Sequence, residues 1–170
     1  LLDHRLAGRI EIICYNTLGD YKQSNYGLDE VALNTGGYTN VVNNRVLIYF
    51  NGDHADLVRQ LKEGLALVLL NELLYGGSVQ ERLQNAALLN LPQWYLQGLT
   101  SYMSVKWDVD MDNKMKDALE VKGKFRFNKL SQKDPVFAGH SLWRYLVEKY
   151  GDEFIANMVY ITKLTRNYES

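Results

Sequence analysis

The stretch Leu61-Lys62-Glu63-Gly64-Leu65-Ala66-Leu67-Val68-Leu69-Leu70 decides how this chain folds. With Leu57 and Val58 before it, Leu61, Leu65 and Leu69 recur at helical spacing, and residues 65–70 are apolar all round. A helix of that kind is expected to lie buried at the centre of a domain. Asp53 is placed to cap its start and Gly76-Gly77 to end it. Upstream the period changes. Arg9 to Tyr15 and Arg45 to Phe50 are rich in β-branched and aromatic residues, which predicts strands. Asn16 to Gln23 reads as a short helix or loop. Asn34-Thr35-Gly36-Gly37 reads as a turn before a short strand at Tyr38 to Val42, and Asn51-Gly52-Asp53 closes the sheet region.

Downstream everything is helical. Ser78 and Glu81 have the spacing of a capping box for a helix through Leu89. Pro92 suits the first position of a helix reaching Tyr102 or Val105. Asp108 to Val121 predicts an exposed, charged helix, followed by a loop. Asp134-Pro135 then opens a helix to Tyr150, Gly151 stops it, and Asp152 caps a last helix to about Arg166. The expectation is an α+β chain with a small N-terminal sheet and a helical C-terminal region, one domain over residues 1–170.

Composition removes several function classes. With 19 basic and 20 acidic residues, the net charge of −1 gives no basic field for nucleic acid. The basic cluster from Lys114 to Lys133 also carries Asp117 and Glu120, and reads as a solvated face. No apolar run reaches the ~20 residues of a membrane span, and no signal peptide is visible. The single cysteine, Cys14, excludes an internal disulfide and is expected to be a small buried hydrophobe in its strand. Twelve tyrosines suit half-buried packing, with contact surfaces as the alternative. The chain opens at Leu1-Leu2-Asp3 without an initiator methionine, and is read as a piece of a longer protein.

Two segments carry chemistry by their likeness to a known pattern. Leu61 to Val68, together with Leu91-Pro92-Gln93-Trp94-Tyr95-Leu96-Gln97-Gly98-Leu99-Thr100-Ser101-Tyr102, resembles the two zinc-binding helices of the gluzincin, thermolysin-like metallopeptidases. In that family the first helix bears His-Glu-x-x-His, whose histidines reach one Zn²⁺ from one helix face while the glutamate acts as base. A glutamate of the second helix completes the ligand set. The scaffold residues Pro92, Trp94, Gly98, Leu99 and Tyr102 keep the family's character. The chemical residues do not. Glu63 stands at the first histidine, Gly64 at the catalytic glutamate, Leu67 at the second histidine, Gln97 at the ligand glutamate and Ser101 at the acidic residue one turn later.

Ala138-Gly139-His140-Ser141 and the run to Tyr150-Gly151 are similar to the family's helix after the site. With Asn44 to Gly52 and Leu74-Tyr75-Gly76-Gly77, they make the chain resemble the peptidase-like domain that precedes a TolB-like β-propeller in Bacteroidetes-type envelope proteins. The resemblance implies a zincin-like fold, a periplasmic or other extracytoplasmic location, and a downstream propeller. It implies no catalytic residue, no cofactor and no bound metal, because a catalytic zinc needs three deprotonated protein ligands and an open position. Without metal a water keeps its pKa of roughly 15.7 instead of ~7.

The single candidates have simpler explanations beside the functional ones. His54 reads as a helix-start residue, His140 as a hydrogen-bonded packing histidine, and His4 as solvated. Glu63 in an apolar helix demands either a cationic partner, for which Lys62's neighbourhood or Arg82 is available, or a remnant polar cleft. Asp108, Asp110 and Asp112 fail as a calcium loop, since the sixth position is Asn113 and the twelfth Leu119. The sequence thus favours an inactive peptidase-like module that binds protein or peptide, with Trp94, Tyr102 and His140 lining a cleft. Two rivals are a purely architectural spacer and an active metallopeptidase-type hydrolase with an atypical site.

Overall fold

The computed structural model describes residues 5–6, 8–24, 33–34, 37–38, 40–42, 44–78, 80–81, 85, 89–120 and 126–166. Strand β1 (Glu11–Tyr15) leads into the short helix α1 (Leu18–Gln23), which Thr17 caps by accepting the Asp20 N–H at 3.0 Å. The short strands β2 (Leu33–Asn34) and β3 (Gly37–Tyr38) pair antiparallel. Positions 35 and 36 of the expected turn lie outside the described residues. Strands β4 (Asn40–Val42) and β5 (Arg45–Tyr49) complete the sheet, whose order is β1-β5-β4. Its β1–β5 pair is parallel, with Ile12 opposite Val46 and Cys14 opposite Ile48.

Among the described residues seven helices have defined bounds. They are α2 (His54–Tyr75), α3 (Gln93–Ser104), α4 (Val109–Glu120), α5 (Phe127–Lys133), α6 (Pro135–Tyr150) and α7 (Glu153–Thr165), after α1 itself. The molecule is therefore mixed α+β and mostly helical. No helix among the described residues is long and apolar enough to cross a membrane.

Most helix signals act as read. Asp53 accepts the Ala55 N–H at 2.8 Å, and Asp134 accepts the Phe137 N–H at 3.0 Å. Ser78 and Glu81 make both bonds of a capping box, each at 3.2 Å, with helical residues at 80, 81 and 85. Gly76 and Gly151 end α2 and α6 at φ of 100° and 90°, values that a residue with a Cβ adopts only under strain.

Several expectations need correcting. Pro92 sits at the N-cap of α3 and not inside its first turn. Asp152 occupies the N-cap position of α7 but its side chain makes no capping bond. Part of the supposed loop before Asp134 is helix α5, whose Phe127 meets the Trp94 ring edge-on at 5.3 Å. Cys14 is exposed. Helix α2 covers the central strand, burying Val46 and Ile48 against Val68, while β1, like β4, is an edge of the sheet among the described residues.

The central helix differs most. It is not buried on every side, because Val58 and Leu65 are 47% and 37% exposed beside Lys62. Its hidden face instead carries Gln60, Glu63 and Glu72 among Ala66, Val68, Leu70 and Leu74. The main core lies on the C-terminal side of the helix, where Leu70 and Leu74 pack with Tyr95, Leu99, Trp143 and Ile155. Burying an apolar side chain of that size contributes ~1.5–3 kcal/mol each.

Candidate functional site

Helices α3 and α6 cross at two glycines. A Cβ on Gly98 would stand 2.3 Å from the Gly139 Cα, and one on Gly139 would stand 1.9 Å from the Trp94 carbonyl oxygen. Only glycine permits that approach. One turn beyond Gly98 lies Ser101, and next to Gly139 lies His140. The crossing therefore presses these side chains together, and Ser101 Oγ hydrogen-bonds His140 Nδ1 at 2.8 Å, fully buried. The rings of Tyr102 and Trp107 meet the imidazole edge-on at 5.7 and 5.3 Å.

Burial pushes the His140 pKa down to about 4; the Arg144 charge adds to this and Asp108 opposes it. The ring is neutral at ordinary pH. On the far side of the crossing, Trp143 Nε1 donates to the Tyr95 carbonyl at 3.1 Å, and the Tyr95 and Thr162 hydroxyls hydrogen-bond at 2.9 Å. Burial raises the Tyr95 phenol to about 12 despite that bond.

The second group of polar residues runs along the start of α2 at spacings of three and four, which place side chains on one helix face. Arg59 Nη1 donates to Glu63 Oε2 at 2.9 Å, and Arg59 Nε donates to Asp56 at 3.1 Å with a second bond from Nη2. Gln60 Nε2 donates to Asp56 at 2.9 Å and to the Tyr49 carbonyl at 3.0 Å, while its Oε1 accepts the Tyr49 N–H at 3.1 Å. Gln60 thus supplies β5 with the pair of bonds another strand would make beyond the reach of β4. Burial works against the Arg59 charge, but the bond to Asp56 and the nearby Glu63 and Asp56 carboxylates outweigh it and hold its pKa above the ordinary value.

These two groups meet at one cavity of about 420 Å³, lined among others by Arg59, Ser101, Asp108, Lys114, Asp134 and Phe137. On its wall Lys114 donates to Asp134 at 2.5 Å and lies 4.5 Å from the Phe137 ring centre. The Asp134 carboxyl is partly buried, yet Lys114 and the Phe137 N–H hold it below the usual carboxylate range.

The residues singled out from sequence are only partly gathered here. Ser101 and His140 are joined, and Tyr102 stands against them. Glu63 is fully buried and has the cationic partner expected of it in Arg59, three residues before Lys62; Arg82 lies outside the described residues. Gly64 is buried on the same helix, and Leu67 and Gln97 are partly buried on α2 and α3. Trp94 packs on Tyr95 and Phe127, and neither it nor Tyr102 nor His140 is among the described residues lining this cavity. His54 begins α2 with its ring 5.2 Å from Phe50. His4 lies outside the described residues.

A zinc ion does not fit this set of donors. The Glu63 carboxylate is taken up by a guanidinium, Ser101 by an imidazole, Gln97 offers a neutral amide, and Leu67 offers nothing. Among the described residues no three His, Cys, Asp or Glu side chains converge as metal ligands.

Arg59, Gln60 and Trp107 went unread in the sequence. The Asp56-Arg59-Gln60-Glu63 spacing was the available signal for the first two. Comparison with family models, curated proteins and solved structures finds no match to this chain.

Proposed function

We propose that this domain is a non-catalytic, zincin-like module that holds a peptide or protein segment in the cleft bounded by α2, α3, α4 and α6. The observation that carries the proposal is the fate of Glu63, which stands where the resemblance puts the first zinc ligand. It is buried and committed to Arg59. An open cavity lined from α2, α3, α4 and α6 lies beside that pair, with hydroxyl, carboxylate and cationic groups on its walls. Such a mixture suits the alternating donors and acceptors of a peptide backbone. The envelope location and the accompanying propeller rest on the resemblance alone.

The test is a peptide array probed with the purified domain, run beside a fluorogenic peptide assay with and without chelator. Binding without turnover is expected, with binding reduced at least tenfold in Lys114→Glu. Chelator-sensitive cleavage overturns the proposal.

One observation favours a second reading, a hydrolase that uses no metal: Ser101, hydrogen-bonded to His140, reaches the cavity wall. A histidine with its pKa near 4 is a weak proton acceptor, however, and general bases work best when matched to the operating pH. Labelling by a fluorophosphonate that vanishes in Ser101→Ala would decide for this reading.

A further inference from the structure

Helix α4 differs from every other long helix in burying none of its residues. It is held by side chains alone. Trp107, just before it, donates its indole N–H to Asp112 at 2.7 Å, and Lys114 reaches Asp134. Asp110, Met111 and Lys114 line the cavity already described, whereas Asp112, Met115 and Leu119 line another between α4 and α6. This second cavity measures about 380 Å³, within the ~300–1,000 Å³ of small-ligand sites. Its apolar walls are Trp107, Met115, Phe127, Leu142 and Tyr145. Methionine and aromatic walls of this kind adapt to apolar groups of varied shape.

The polar part of the lining restricts what fits. Arg144 lies over Trp107, its guanidinium carbon 4.6 Å from the ring centre, and its Nε donates to Glu148 at 2.7 Å. These two contacts fix the plane of the guanidinium. Its Nη1 stands 3.7 Å from Asp112, beyond hydrogen-bond reach, and neither Nη nitrogen hydrogen-bonds any described residue. The fork is thus preorganised and has donors to offer.

An acceptor is required, but not a full negative charge. The lining carries the carboxylates of Asp112 and Glu148 against one guanidinium, so an anion meets like charge. A cation has to compete with Arg144 for the same two carboxylates. A neutral group with a carbonyl and an apolar body meets neither obstacle.

From this we infer that the cavity between α4 and α6 is a binding site for one large apolar side chain of a peptide, phenylalanine or leucine in size, whose backbone carbonyl accepts from the Arg144 Nη edge. The inference rests on the peptide-binding reading for the nature of its ligand and adds a second site, on the opposite side of α4 from the cleft.

The probe is N-acetyl-phenylalaninamide, with N-acetyl-phenylalanine as its anionic and phenethylamine as its cationic counterpart, titrated into isotopically labelled protein and followed by NMR. The amide is expected to shift the Trp107 indole N–H and the Met115 and Leu142 methyl signals saturably. It should bind at least fivefold tighter than either charged counterpart. Leu142→Trp, which fills the cavity, should weaken the amide at least tenfold, and Leu119→Trp at the exposed rim serves if that variant does not fold. Arg144→Lys, which loses the planar fork, should weaken it about threefold or more. Lys114→Glu should leave the amide's affinity within twofold. If that holds while Lys114→Glu leaves peptide binding on the array undiminished, the cleft reading fails and the second site stands. Absent or unsaturable shifts, equal binding to the cavity-filling variants, or tighter binding of a charged counterpart overturns the inference.

Discussion

The crossing of α3 and α6 and the neighbouring helix α4 show two ways of attaching a helix. At the crossing, glycines let backbones touch, and polar side chains drawn in with them are paired: Ser101 with His140, Trp143 with the Tyr95 carbonyl. Helix α4 buries nothing and stands off on ion pairs and ring contacts, with a cavity on each side. Close packing fixes the position of a side chain but leaves no room for a ligand. Loose attachment leaves room at the expense of rigidity. The candidate sites lie where the two arrangements adjoin, with a rigid floor and a yielding wall.

The contrast is open to attack, most severely at the glycines. Gly139→Ala should destabilise the domain by ~4 kcal/mol or more, beyond the ~1–3 usual for overpacking, because the new methyl meets a backbone carbonyl that no rotamer change can move. Urea denaturation measures it, and a loss under ~1 kcal/mol would mean that the helices separate easily. Next comes Arg59→Met, which takes the guanidinium away from the buried Glu63 carboxylate and from Asp56. A loss of about 3 kcal/mol is expected, part of it recovered in Arg59→Met/Glu63→Leu, since the penalty is that of a buried carboxylate deprived of its guanidinium.

Acid should act on the tight region through His140. Its folded pKa of about 4 lies below the ordinary 6.5, so the unfolded chain binds the extra proton first. Stability is therefore complete above roughly pH 6.5 and falls as pH drops toward 4, by up to ~3 kcal/mol from this group. Thermal melts of His140→Gln between pH 4 and 7 should show a shallower slope than those of the parent protein. The smallest effect belongs to α4. Lys114→Ala removes an ion pair whose cation is half exposed, and should cost about 0.5 kcal/mol. Amide hydrogen exchange in α4 should quicken in this variant while α3 and α6 stay protected; slow exchange in α4 would remove the contrast.

Much of the architecture was written locally. The caps at Asp53 and Asp134, the Ser78–Glu81 box and the stops at Gly76 and Gly151 act between residues a few positions apart. Strand and helix periods set β1, β5, α2 and α6 for the same reason. Leu65 was misplaced because leucine supplies the same apolar signal on a helix's exposed flank as on its hidden one. Cys14 was misplaced because an edge strand and a central strand share one composition. Of the candidate site, the sequence marked Glu63, Ser101 and His140 but gave no partners, and it passed over Arg59 and Trp107.

By itself the sequence determined the element types, most of their ends, the near-neutral charge and a likeness to the gluzincin helices in which none of the expected ligand or base residues is kept. These are properties of single residues and of neighbours within a turn or two. Tertiary structure alone decided that Gly98 meets Gly139, that Ser101 thereby meets His140 across 39 positions, and that two cavities flank α4. Such contacts depend on how helices cross in space, which backbone approach and side-chain volume settle together, and no local pattern encodes that angle.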